Sequence, residues 1–176
     1  MVGVAIDPIV SATTQVDPAF WLNAANQAIR TECGWHVAPI ITEELVLDGP
    51  GGHNLLVPSK RVREVVSAKN DGVDVTEQVK FSRRAGVLTL ASGWSCDVGS
   101  IELTIRHGYN LDEVADVAGL IVTLTKRAAA SGTVVQQSVG SASVRLATAR
   151  DGSVAGVPLF ESEKAILAPY KLNWGP

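Results

Sequence analysis

Ser100-Ile101-Glu102-Leu103-Thr104-Ile105-Arg106 is the stretch whose reading decides the fold. Ile101, Leu103 and Ile105 alternate with Glu102, Thr104 and Arg106. One face is apolar and the other polar or charged, the period-two pattern of a strand half-buried on a core. Shorter pieces of the same kind precede it. Ile40–Leu47, Asn54–Val57, Arg61–Ala68, Val73–Thr76, Val79–Ser82 and Gly86–Leu90 read as strands. Asp48-Gly49-Pro50-Gly51-Gly52 and Asn70-Asp71-Gly72 read as turns.

Helices flank this β-rich region. Asp17 is placed to cap a first helix and Pro18 to occupy its first position. Trp21, Ala25, Ala28 and Ile29 recur at helical spacing, which puts Trp21 in the core, and Gly34 is a left-handed stop. A second helix begins after His107-Gly108-Tyr109, with Asn110 as cap and Glu113 completing a capping box. Asp112, Glu113 and Asp116 suit the positive end of its dipole, a reading that needs no catalysis. Val114, Val117, Ile121, Leu124 and Ala128 form one apolar stripe; Ala115, Ala118 and Val122 form another. A helix apolar around so much of its circumference is expected to be buried on more than one side. Val114, Val117, Ala118, Ile121, Val122 and Leu124 are thus candidates for core or subunit packing.

Thr133–Val139 and Ala142–Leu146 read as a hairpin around Gly140-Ser141. A short helix follows from about Leu159 to Ala168, stopped by Pro169. The fold class is α+β, since strands and helices are segregated. The expected organisation is an N-terminal arm (1–16), one α+β domain (17–168) and a C-terminal tail (169–176). Within the domain lie a β-rich insertion at about 39–107 and the hairpin at about 133–147.

Bulk properties bound the function. The chain has 176 residues, 46% hydrophobic and 19% charged, which argues for a folded domain and against disorder. Net charge is −3, and no run of Lys or Arg reads as a nucleic-acid footprint. Met1–Val10 lacks the basic start of a secretory signal, and the run from Val117 to Thr125 is too short to span a membrane. A soluble protein made in the cytosol is expected, with Cys33 and Cys96 as free thiols.

Chemistry is sparse. Cys33-Gly34-Trp35-His36 with His53, Cys96 and His107 is the one metal-like set, but it lacks paired zinc spacing in its second half. Gly93-Trp94-Ser95-Cys96-Asp97 fails as a nucleophile elbow at its last position. A Cys96–His107 hydrolase pair has no signature in its favour. The Gly49–Gly52 run lacks the lysine of a phosphate loop. No metal, cofactor or catalytic residue is expected. Trp94 and Trp174 stand in loop contexts, where an interface anchor and burial in the same chain weigh equally.

The order of several segments resembles the head–tail connector (adaptor) proteins of long-tailed bacteriophages. The likeness rests on Ala28–Trp35, Leu47–Gly52 with Leu55–Ser59, Ile105–Tyr109 leading through Asp116-Val117-Ala118, Ser138–Val144, and Glu163–Leu172. It spans roughly residues 18–172. The resemblance implies a small helical core of three helices carrying the β-rich insertion between the first two. It implies a structural subunit without enzymatic activity in the virion neck, made in the host cytoplasm. The partners implied are copies of itself in a ring, usually a dodecamer, the portal protein above, and a stopper or tail-completion protein below. Genomic DNA would pass through the lumen without specific binding, helped by net negative charge. Portal-side contacts are expected at Val139, Gly140, Ser141 and Val144 of the hairpin. Leu167, Tyr170, Leu172 and Trp174 of the C-terminal region are expected to join them. The alternatives are another neck component, such as a stopper or tail-completion protein, and more distantly a thiol- or metal-dependent hydrolase.

Overall fold

The computed structural model describes residues 17–130, 136–139, 142–145 and 159–172. The expected N-terminal arm, the hairpin tip at Gly140-Ser141 and Trp174 lie outside these residues. The chain divides into two compact units, residues 1–26 with 121–158 and residues 27–120 with 159–176.

The second unit contains the sheets. Helix α1 (Pro18–Cys33) leads into it, and seven strands follow. They are β1 (Ile41–Leu47), β2 (Asn54–Leu56), β3 (Val62–Asn70), β4 (Val73–Asp74), β5 (Val79–Phe81), β6 (Val87–Leu90) and β7 (Ile101–His107). One antiparallel sheet has the order β1-β7-β3-β4, and another has β2-β6-β5. The sequence places β7 last, yet it is central. It pairs with β1 from Ile41↔His107 to Leu47↔Ile101, and with β3 on its other edge.

The alternation in β7 does what its pattern requires. Ile101, Leu103 and Ile105 are buried, while Glu102 and Arg106 are exposed. From the same sheet Val62 and Ala68 join them, and Leu55, Val57, Leu88, Leu90 and Trp94 complete a single core. Burying such side chains is the main drive to fold, at roughly 1.5–3 kcal/mol each. Strand β3 carries two bulges, between Val62 and Glu64 and between Val65 and Ser67. Each extra residue re-aims the chain, so Arg63 escapes the strict alternation.

The helices begin as their sequences indicate. Asp17 Oδ1 accepts the Phe20 N–H at 2.9 Å, and Gly34 follows α1 with φ 78°. Ala25, Ile29 and Cys33 form its buried stripe, but Trp21 is only half-buried. Its ring packs edge-on against Phe20, 5.2 Å between centroids, and stays partly at the surface, so the expected core role of Trp21 is not realised. A turn of 3-10 helix at Leu111–Val114 opens into α2 (Ala115–Ala130). α3 (Glu161–Leu167) ends just before Pro169, as its sequence indicates, and a 3-10 turn through Ala168–Tyr170 follows. This is possible because Pro169 enters that turn near its start, where a missing N–H is harmless.

In the first unit, β8 (Gln136–Val139) and β9 (Ala142–Arg145) form the expected hairpin, with Val139 opposite Ala142. Among the described residues they pair with no third strand. No helix among the described residues is long and apolar enough to cross a membrane. The fold is α+β, with three helices and antiparallel sheets.

Replacing Ile105 with Ala should cost about 2–5 kcal/mol, because it empties a fully enclosed site at the centre of the sheet. Val66→Ala, on a side chain 49% exposed in the adjacent strand, should cost well under 1 kcal/mol. Urea unfolding of the two variants checks the difference.

Candidate functional site

Four stretches far apart in sequence meet in the second unit: Cys33–Pro39, Arg61–Arg63, His107–Asp116 and Leu167–Leu172. β7 delivers His107 beyond the last buried isoleucine, and its ring is fully enclosed. Trp35, also buried, stacks near it with centroids 6.3 Å apart. The His36 ring meets it edge-on at 4.4 Å. Tyr109 lies 5.8 Å from Trp35 and 5.5 Å from Tyr170.

Hydrogen bonds set the tautomers. His107 Nε2 lies 3.0 Å from Glu43 Oε2, and an ionised carboxylate only accepts, so Nε2–H donates. His36 Nε2 donates to the Pro39 carbonyl at 2.9 Å. His107 Nδ1 is buried and has no partner among the protein's atoms. A proton there would have no acceptor. Burial, followed by the repulsion of a charged His36, lowers the His107 pKa; burial is also the main cause that lowers His36. Both rings therefore favour the neutral form.

Backbone geometry closes the cluster. Gly108 has φ 113°, and a Cβ on it would stand 2.6 Å from the Pro39 carbonyl and 2.7 Å from His36 Nε2. Only glycine fits that approach. Val37 holds φ 64°, a conformation that costs a β-branched residue about 1–3 kcal/mol. Its carbonyl accepts the Tyr109 N–H at 2.9 Å.

The C-terminal segment is tied into the same place. Trp35 Nε1 donates to the Tyr170 carbonyl at 2.7 Å, and the Leu172 N–H donates to the Cys33 carbonyl at 2.9 Å. Lys171 pairs with Glu32 at 2.7 Å. The Tyr170 hydroxyl donates to Asp116 at 3.0 Å. Burial and that carboxylate push its pKa up to about 12. These bonds tie the segment to its own chain. Leu167 is fully buried within this chain, and Tyr170 and Leu172 are half-buried. Tyr170 is held by Trp35 and Asp116 and Leu172 by Cys33, while part of each side chain stays at the surface.

The acids at the start of α2 also do more than answer a dipole. Glu113 accepts the Asn110 N–H at 2.8 Å and pairs with both Arg61 and Arg63. The Asn110 bond first, then the two guanidiniums, hold its carboxyl below the usual range. Asp112 remains exposed.

Of the metal-like residues, His36 and His107 meet, with no third ligand placed to complete a site among the described residues. Among the described residues no group of three His, Cys, Asp or Glu side chains is placed to hold an ion. Cys96 is exposed and lies beside Gly51, near the Ile101 end of β7, whereas His107 ends that strand. A strand of this length separates them by about 20 Å. The Cys33 thiol is buried and its pKa is raised to about 11, by burial and then by Glu32. It is a poor nucleophile at neutral pH. Trp94, from a loop, is buried in the core against its own chain.

The expected double burial of α2 is realised on one side. Val114, Val117, Leu120, Leu124 and Ala128 are buried, Leu120 taking the place expected of the half-buried Ile121. Ala115, Ala118 and Val122 are exposed, Val122 by 49%. Among the described residues nothing covers the second stripe.

No protein-family model and no curated protein matches this chain.

Two measurements check the cluster. The unfolded chain takes protons near the ordinary imidazole value of 6.5, before the folded chain does. Stability should therefore fall as pH drops through about 6.5 towards the lowered folded values, and flatten below them. His107→Gln should weaken that dependence in urea midpoints measured between about pH 7.5 and 5. A thiol reagent at neutral pH should label Cys96 quickly in the native protein, and Cys33 only after denaturation.

Proposed function

We propose that this chain is a structural adaptor of a tailed-phage neck, a ring subunit that joins the portal to the tail and leaves a passage for DNA. One observation carries the reading: the uncovered stripe Ala115, Ala118 and Val122 on α2, whose opposite stripe is buried. Small apolar side chains on a helix let a neighbour's backbone approach closely, as a repeated contact between identical subunits requires. The order of segments that resembles connector proteins points the same way. So does the placement of all seven strands β1–β7 between α1 and α2, which fits a β-rich insertion in a small helical core.

The hairpin β8–β9 supports a partner on a second surface. A two-stranded ribbon is marginal by itself in water, and its open edges invite pairing. Portal contact is assigned to the hairpin around Val139 and Val144 together with the parts of Tyr170 and Leu172 that stay at the surface. The role needs no catalytic step. The ring would sit in the virion neck, with a stopper or tail-completion protein below it.

Mixing the purified chain with its cognate portal, and weighing the product by native mass spectrometry, tests this. The expected result is a complex that carries one ring of copies. Val122→Asp should leave the monomer folded, since the side chain is half in water already, and should abolish ring formation because a carboxylate would be buried between subunits. A wild-type chain that ignores the portal and stays monomeric contradicts the proposal. Binding only to a pre-formed portal–adaptor complex would move it one layer lower, to a stopper.

A further inference from the structure

The chain is acidic, yet its second unit gathers cations on one surface. Arg61 and Arg63 come from the start of β3, and Arg83 and Arg84 from the loop between β5 and β6. Together with Val62 they line a single cleft. A neighbouring cleft shares Arg61 and Arg84 and adds Lys60, Tyr109, Glu113 and Pro169. The two form one continuous track, with five cations against a single carboxylate, a local balance of +4 where the whole chain carries −3.

Among the described residues that carboxylate, Glu113, forms ion pairs with Arg61 and Arg63. Among the described residues Lys60, Arg83 and Arg84 have no carboxylate within 4.0 Å. Lys60 donates to the Pro169 carbonyl at 2.8 Å, which fixes its position without neutralising it. Arg61 Nε is buried with no acceptor. Arg83 and Arg84 are exposed. Like charges held this close repel, and a fold tolerates them most readily where an anion relieves them.

We propose that this track binds the phosphodiester backbone of nucleic acid, without reading base sequence. The guanidinium fork matches phosphate oxygens in pairs, and arginines dominate the cleft. The track extends across two clefts, so it suits a repeating polyanion better than one small ion. Its lining argues against a protein partner. A protein interface concentrates its energy in apolar and aromatic anchors, whereas here Val62 is buried inside and Tyr109 already lies beneath Arg61, 5.6 Å from its ring. The site stands independently of the neck reading, since a chain that met no portal would keep the same cleft.

Fluorescence anisotropy of the full-length protein with a labelled DNA duplex, over a salt series, tests the assignment. Binding is expected at low salt and should weaken steeply as salt rises, as counterion release dictates. The double variant Arg83→Ala/Arg84→Ala should bind at least about tenfold more weakly at low salt, with a salt slope smaller by about 2. Lys126→Ala, which removes a cation from α2 instead, should bind like wild type. Glu113→Gln frees two guanidiniums and should bind more tightly. Inorganic tripolyphosphate should compete with the duplex. No binding at low salt, or equal binding by the double variant and Lys126→Ala, overturns the proposal. Tighter binding of polyglutamate than of DNA overturns it in favour of an acidic protein partner, and binding of tripolyphosphate alone overturns it in favour of a small phosphate ligand.

Discussion

Strand β7 carries the second unit. Its two edges hold β1 and β3, and its inward face supplies Ile101, Leu103 and Ile105 to the core. Period-two alternation allows no compromise, because a slip of one residue would turn Glu102, Thr104 and Arg106 inward. The unit is thus pinned by a register that burial alone enforces. Whatever lies at the ends of β7 inherits its position from that constraint.

At one end the constraint becomes a polar problem. His107 is the next inward residue after Ile105, so it must be buried. The protein answers with Glu43, delivered on the inward side of β1, and with the rings of Trp35 and His36. Leaving Nδ1 unpartnered is acceptable for a neutral ring and costly for a charged one. Gly108 then turns the chain where no other residue fits, and Tyr109 and Glu113 follow into contacts with Tyr170, Arg61 and Arg63. The C-terminal segment closes the same cluster, burying Leu167 and tying Tyr170 to Trp35 and Asp116.

Charge shows how average composition can mislead. A net −3 says that the molecule is acidic as a whole, and the absence of basic runs says that no linear segment is a nucleic-acid motif. Neither statement bears on where separate arginines come together. Arg61 and Arg63 stand some twenty positions from Arg83 and Arg84, about the length of three strands with their turns. The antiparallel path returns the chain beside its starting point, and the bulge at Arg63 turns that side chain towards Glu113. Spacing along the chain carries no trace of this.

Local sequence therefore determined the elements. The alternation of β7, the Asp17-Pro18 start and Gly34 stop of α1, the Asn110–Glu113 start of α2 and the pairing of β8 with β9 are all governed by interactions within a few residues, which adjacent side chains can specify. Tertiary structure alone decided which stripe of α2 is covered, that Trp94 and Leu167 are buried against their own chain, and that His36 meets His107 while Cys96 lies towards the other end of β7. It also decided that Glu113 serves two arginines and that four arginines share a cleft. Each of these depends on contacts between residues distant in sequence, and such contacts exist only after the strands have found their partners.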